Sequence, residues 1–319
     1  MRQKDVISTR EASQSDEQKH MIVLDTDIGD DIDDALALAL ALNSPEIDLR
    51  GITTVFGDTQ KRAQLAQHIL HTFGREDIPI AVGVDKPLQQ RHPPSSVAQA
   101  EVLSDAPFDR KKISTFSGPE LLVQQALEHS GKLTLVCIGP LTNVALALLI
   151  EPRIAKAIRS IMMMGGSSGL PLPEWNVRSD IQATKIVLSS GIPITMIGLN
   201  VTTRCQFRKQ DIEQLHHSTA TQAQLLYQLL TIWQHHRPHW HPSLPYLHDP
   251  LTIAALCMPE LLQWQEIPVH VIMRGPFEGF MVPRMLGGTS VKAAVGVQSS
   301  LAREWILQRL LGNTSSVGV

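Results

Sequence analysis

From Met21 to about residue 199 the chain alternates short apolar runs with helical stretches, and this rhythm restricts the fold more than any other feature. The runs MIVL (21–24), GITTVF (51–56), PIAVG (79–83), LTLVCIG (133–139), SIMMMGG (160–166) and PITMIGL (193–199) read as strands. Helices are expected between them, at about 34–43, 59–73, 118–130, 141–158 and 180–190. Residues 34–43 alternate Ala with Leu, a two-residue period that a strand would share. Both residues are strong helix formers, however, and the acids ahead of them supply an N-cap, so a helix is expected. Strand–helix alternation points to parallel strands joined by right-handed crossovers. The fold class is therefore α/β, with a single open, mostly parallel sheet flanked by helices. Ligands of such sheets bind at the carboxyl ends of the strands. The polar residues that follow each strand become the functional candidates.

The second half changes character. Residues 209–236 read as helical and polar, residues 235–250 are rich in His and Pro, and an apolar helix is expected over 250–257. VHVIM (269–273), EGFMV (278–282) and VKAAV (291–295) read as later strands, with a closing helix over 298–311. Residues 86–117, with Pro87, Pro93, Pro94 and Pro107, are the least regular part, either a functional loop or a plain surface excursion. Residues 1–20 lack an apolar face and the apolar core of a secretory signal, and read as a disordered tail before a single domain spanning 21–319.

Charge narrows the partners. A net charge of −3 leaves no basic excess to neutralise phosphates, which argues against nucleic acid. No apolar run approaches the roughly 20 residues that span a bilayer, which argues against a membrane. Cys137, Cys205 and Cys257 are scattered and make no metal-ligand pair, as expected of a reducing, cytoplasmic setting. Of the clustered histidines, His235, His236, His239 and His241 lack a recognisable zinc spacing. Met162, Met163 and Met164 read as core strand. Trp233 and Trp240 either pack or stack on a ligand.

Directly after the first strand comes D-T-D-I-G-D-D-I-D-D, residues 25–34. Carboxylates this dense repel one another and, if buried, require a cation or shifted pKa values. Hard oxygen donors suit Ca²⁺ or Mg²⁺. The plainer alternative is a solvated acidic loop that caps the next helix. An EF-hand is excluded, since counting from Asp25 its sixth and twelfth positions hold Asp30 and Leu36 instead of Gly and Glu. A phosphatase of the haloacid-dehalogenase type also opens with D-x-D but expects Thr or Val where this chain has Gly29.

The acid run and several later segments together resemble the inosine–uridine-preferring nucleoside hydrolases, Ca²⁺-dependent N-ribohydrolases. That family opens with a strand, D-x-D-x-G-x-D-D and an Ala-rich helix, matched here by Asp25, Asp27, Gly29 and an acid pair before Ala35. Two extra residues leave the pair as Asp30–Asp31 or Asp33–Asp34, and the second is favoured because it directly precedes the helix. TTVFGD (53–58), LVCIGPLTNVALAL (135–148), MMGG (163–166), EWN (174–176) and LHDPL (247–251) match in order, across about residues 21–300. The resemblance implies a Rossmann-like sheet with extra helices near the active site, and a homodimer or homotetramer acting on small ribonucleosides.

By the same resemblance, Asp27 is the general base that activates a Ca²⁺-held water and is itself a metal ligand. Asp34, the backbone carbonyl of Ile138 and Asp249 complete the metal shell, and Asp25 supports the loop from behind. Asp33, Glu174 and Asn176 contact ribose, with Trp175 as an apolar wall. His248 faces the leaving base, either as general acid or as a contact without proton transfer. The chain departs from the family at Asp58, which stands where Asn usually contacts ribose, so it can accept but not donate a hydrogen bond. Ser167 and Ser168 lie where an Asn often follows M-G-G, and residues 92–105 hold only His92, without the family's H-G pair. The competing functions are the phosphatase and a non-catalytic Ca²⁺- or nucleoside-binding protein on the same scaffold.

Overall fold

The computed structural model of this chain describes residues 19–89, 96–103, 109, 112–168, 172–239, 241–284 and 286–313. Residues 1–18 of the expected tail, His92 and Trp240 lie outside the described residues. A sheet is built from β1 (His20–Thr26), β2 (Ile47–Thr54), β3 (Ile80–Ala81), β4 (Thr134–Cys137), β5 (Ser160–Met164), β6 (Ile194–Ile197), β7 (Leu262–Val271), β8 (Met281–Pro283) and β9 (Thr289–Val297). Their spatial order is β3-β2-β1-β4-β5-β6-β9-β7-β8. Pairing is parallel from β3 to β9, and β7 runs antiparallel to both β9 and β8. The chain moves outward from β1 to β3 on one side and returns to β4 on the other. That reversal opens a crevice at the carboxyl ends of β1 and β4.

Helices cover both faces. On one face lie α1 (Asp33–Leu42), α2 (Thr59–Thr72), α8 (Leu199–Thr202), α9 (Lys209–His217), α10 (Thr221–His236), α11 (His248–Cys257) and α12 (Ser299–Leu310). On the other lie α3 (Gly118–Glu128), α4 (Thr142–Ile150), α5 (Ile154–Ala157), α6 (Trp175–Ser179) and α7 (Ile181–Leu188). The period of the strands sorts the core between them. Met162 and Met164 join the first core and Met163 the second, as a strand buried on both faces requires. Among the described residues no helix is long and apolar enough to cross a membrane.

Several sequence expectations change at their edges. The run 141–158 is two helices, α4 and α5, because Pro152 drives Glu151 out of the helical region to φ −138° and ψ 83°. The run 209–236 also divides, because Ser218 turns extended and its hydroxyl accepts from the Ala220 amide, competing with the helix. PIAVG contributes only Ile80–Ala81 to the sheet, and EGFMV contributes only its last two residues, to a strand that runs on through Pro283. The strand around VHVIM begins earlier, at Leu262. β1 begins at His20, one residue before the expected core. The N-cap of α1 is Ile32, with no side-chain cap. The acids expected to cap this helix instead occupy its first turn, where the dipole favours them and their carboxylates stay available.

Candidate active site

The crevice is acidic from its floor upward. Asp25 lies inside β1, fully buried, and accepts from Thr53 Oγ1 at 2.5 Å and Asn143 Nδ2 at 2.7 Å. Its other oxygen is buried without a hydrogen-bond partner among the described residues. Burial pushes its pKa up to about 7. It braces β1 against β2 and α4 just below the loop that carries Asp27.

Above that floor three carboxylates converge. Asp33 and Asp34 stand in the first turn of α1, and Asp249 stands in the first turn of α11, which packs against α1. Two helix amino ends, each partly positive, therefore point at one place. Pro250 costs α11 nothing, because the first turn has no intrahelical acceptor for its missing N–H. All three side chains are buried, and an oxygen from each lies within 4.8 Å of the others. Burial first, then the neighbouring carboxylates, push all three well above the usual carboxylate range. Asp34 also accepts from Thr26 Oγ1.

The donor set fits a hard divalent cation. Two oxygens that each lie 2.3–2.6 Å from one Ca²⁺ are at most about 5 Å apart, a limit this cluster meets. Buried carboxylates this close cannot all ionise without such a charge among them. The two candidate acid pairs are committed differently. Asp30 pairs with Arg62 at 2.8 Å, while Asp31 accepts from the Ile32 amide at 2.7 Å and faces His241 at 3.5 Å. Asp33, expected at the ribose, stands within the cluster itself.

Asp27 follows β1 and is buried beside this cluster, and burial raises its pKa to about 7 against the pull of the Arg62 charge. A side chain at residue 139 would strike it, since a Cβ on Gly139 would lie 2.8 Å from Asp27 Oδ1. Ile138 directly follows β4, where its amide donates to the Asp25 carbonyl and its own carbonyl accepts from Asn176 Nδ2 at 2.9 Å. Asn176 also donates to the Met164 carbonyl at 3.2 Å. Glu174 caps α6 and accepts from the amides of Gly166, Asn176 and Val177, so its carboxylate orders the loop after β5. Trp175 is 56% exposed, with its ring edge-on to Phe56 at 6.1 Å. Asp58 is exposed and caps α2 through the Lys61 amide at 3.0 Å. His248 opens α11, shares a 2.7 Å hydrogen bond between Nδ1 and Thr202 Oγ1, and is pushed down to about 4 by burial. Ser168 is tied to Asn200 and to the Ala294 carbonyl, whereas the buried Ser167 hydroxyl has no hydrogen-bond partner among the described residues.

Sequence reasoning missed the polar residues that hold these groups. Thr53, Asn143 and Thr202 are single hydroxyls or amides whose partners lie far away in sequence, and Thr26 bonds Asp34 across the turns of the acid loop. Arg62 did leave a signal, since it shares the buried stripe of α2 with Ala66 and Ile69 at helical spacing. The methionine run is core, as expected, and Trp233 packs in the core. His236 pairs with Glu101 at 2.6 Å. Among the described residues, no histidine joins a group of metal donors.

The chain is similar to known proteins in sequence and in fold. The family described as inosine-uridine preferring nucleoside hydrolase matches residues 22–305. A probable uridine nucleosidase 2 from Arabidopsis thaliana is 33% identical over 91% of this chain and 97% of its own length. A pyrimidine-specific ribonucleoside hydrolase RihA from Photobacterium profundum is 38% identical over 75% of this chain and 80% of its own. Among solved structures, a plant nucleoside hydrolase, the PpNRh1 enzyme, superposes with a TM-score of 0.82 at 29% identity, covering 92% of this chain and 99% of that one. A purine-preferring ribonucleoside hydrolase from Gardnerella vaginalis superposes with a TM-score of 0.80 at 25% identity, over the same shares.

Proposed function

This chain belongs to the inosine–uridine preferring nucleoside hydrolases, and from that premise we propose that it hydrolyses pyrimidine ribonucleosides at a Ca²⁺ site. Membership makes it an N-ribohydrolase, which splits a ribonucleoside with water into free base and ribose. The pyrimidine preference rests on the two curated relatives, which are named for uridine and for pyrimidine ribonucleosides. The observation that carries the metal reading is the buried Asp33–Asp34–Asp249 cluster beside Asp27.

Asp34 and Asp249 would hold the ion, with Asp27 and the Ile138 carbonyl as further ligands, and Asp33 shared between the ion and the ribose. When bound, Ca²⁺ would offset the clustered charge and supply a Lewis acid for water and the vicinal ribose hydroxyls. Asp27 takes a proton from water as the water oxygen bonds to the anomeric carbon. The glycosidic C–N bond breaks, and its electron pair leaves with the base, which takes a proton from solvent while Asp27 releases the one it took. The ionised acids stabilise the developing oxocarbenium character of the sugar. Glu174 and Asn176 order the floor under the ribose, while Trp175 and Phe56 form its apolar side. Asp58, committed to its helix, would reach ribose only as an acceptor. His248 stays neutral near pH 7 and serves the departing base as a hydrogen-bond partner, in place of a charged acid. A homodimer or homotetramer in the cytoplasm completes the proposal, to be checked by light scattering and cell fractionation.

The test is release of reducing sugar from uridine, cytidine, inosine and 2′-deoxyuridine, in Ca²⁺, Mg²⁺ or EDTA. Turnover of uridine in Ca²⁺, lost in EDTA and absent with the deoxyriboside, is the expected result. Full turnover in EDTA would overturn the metal reading, and inosine outpacing uridine would overturn the pyrimidine preference.

A further inference from the structure

Among the described residues Arg62 is the largest fully buried side chain, at 0% exposure, on a helix that follows β2 and not the acid loop. A guanidinium withdrawn from water is strongly unfavourable unless its N–H groups find acceptors in good geometry. Here the acceptors come from two different loops. Nη1 donates to the carbonyls of Asp27 and, at 2.8 Å, Ile28. Nη2 meets Asp30 Oδ2 at 2.8 Å, and Nε donates to the Phe56 carbonyl at 2.6 Å. Phe56 is the residue other than glycine with positive φ among those described, at 66°, a conformation that persists only where its surroundings hold it. Its ring is the one that meets Trp175.

From this geometry we infer that Arg62 is a positioning residue for the reaction, one cation that fixes the main chain under Asp27 and the aromatic wall at Phe56 together. The planar fork explains the residue type. Four acceptors in two loops match a guanidinium, whereas an ammonium is a point charge that reaches fewer of them. Asp30 supplies a carboxylate to Arg62, which gives a role to an acid that stands outside the metal-binding group. Displacing a reacting group by about 1 Å costs on the order of 100-fold in rate.

The inference rests on the hydrolase reading, so the test carries two readouts, uridine turnover and Ca²⁺ binding by calorimetry. In folded Arg62→Ala at saturating Ca²⁺, kcat should fall by about 100-fold. Guanidinium ion at millimolar concentration should restore part of that loss, and equal NaCl should not. Calcium affinity should weaken, because the loop that presents Asp27 loses its anchor. A bystander cation would do the reverse, since its removal relieves repulsion of Ca²⁺ and tightens binding. Tighter binding, a kcat within threefold of the parent, or a loss that follows only the unfolded fraction would each overturn the inference. If Arg62→Ala does not fold, Arg62→Lys takes its place and should lose at least tenfold in kcat while folded. Full activity in that variant would also overturn it. A parent without turnover would strike the hydrolase reading instead, and leave the calcium affinities to decide on Arg62.

Discussion

Asp25→Asn should stabilise the metal-free protein at pH 8, whereas at pH 5 the relieved charge no longer outweighs the unpaired amide. Asp25 is buried in β1 with one oxygen unpartnered, and its pKa rises from an ordinary 3.8 to about 7. In an unfolded chain the carboxyl ionises near 3.8. Below that value both states hold the proton and the charge costs the fold nothing. Above pH 7 both states are ionised and the folded chain bears the whole burial cost. Stability linked to this group is thus present below 3.8 and lost as pH rises to about 7. At 1.36 kcal/mol per pH unit the full loss is about 4 kcal/mol, of which about 3 falls between pH 5 and pH 8. The amide keeps an acceptor for Thr53 and Asn143 but leaves a buried N–H unpaired, an offset of about 1–3 kcal/mol that does not vary with pH. At roughly 2 °C per kcal/mol for a chain of this size, the gap in Tm between variant and parent should widen by about 6 °C from pH 5 to pH 8. The assay is thermal unfolding in EDTA across that range. Parallel Tm curves for the two proteins would refute the assignment of the buried charge to Asp25.

Asp34→Ala should weaken Ca²⁺ binding in calorimetry by more than the 10–100-fold that an outer partner of a metal site costs, and Asp31→Ala by less. The reverse order would move the metal to the other acid pair. Asp27→Asn should lower kcat by about 10²–10⁴-fold while Tm in EDTA holds or rises, since a buried charge is removed. Gly139→Ala should cut kcat with a stability loss of about 1–3 kcal/mol, because its Cβ would crowd both Asp27 Oδ1 and Val55. His248 is held near 4 by burial, so the pH–rate profile between pH 5 and pH 8 should keep its shape in His248→Gln even as kcat falls. An acid limb that vanishes in the variant would instead make His248 a titrating acid.

The α/β class and the strands whose carboxyl ends form the crevice were legible in the residues alone. These are local properties, since a buried parallel strand and an Ala–Leu helix declare themselves in their own residues. The acids were marked as well, because such a density of carboxylates after a first strand has few physical uses. Which acids act together was settled by packing. Asp33 and Asp34 lie more than two hundred residues from Asp249, and only the packing of α1 on α11 brings their helix ends to one point. The same holds for Asp30 and Asp31, identical in type to their neighbours, whose partners Arg62 and His241 come from α2 and the loop before α11. Glu174 and Asp58 are readable as motif residues, but their hydrogen bonds to backbone amides emerge only once the loops fold. Composition and spacing record which groups a chain carries. The desolvation and the long-range hydrogen bonds that give each group its charge state and direction arise only when distant segments meet.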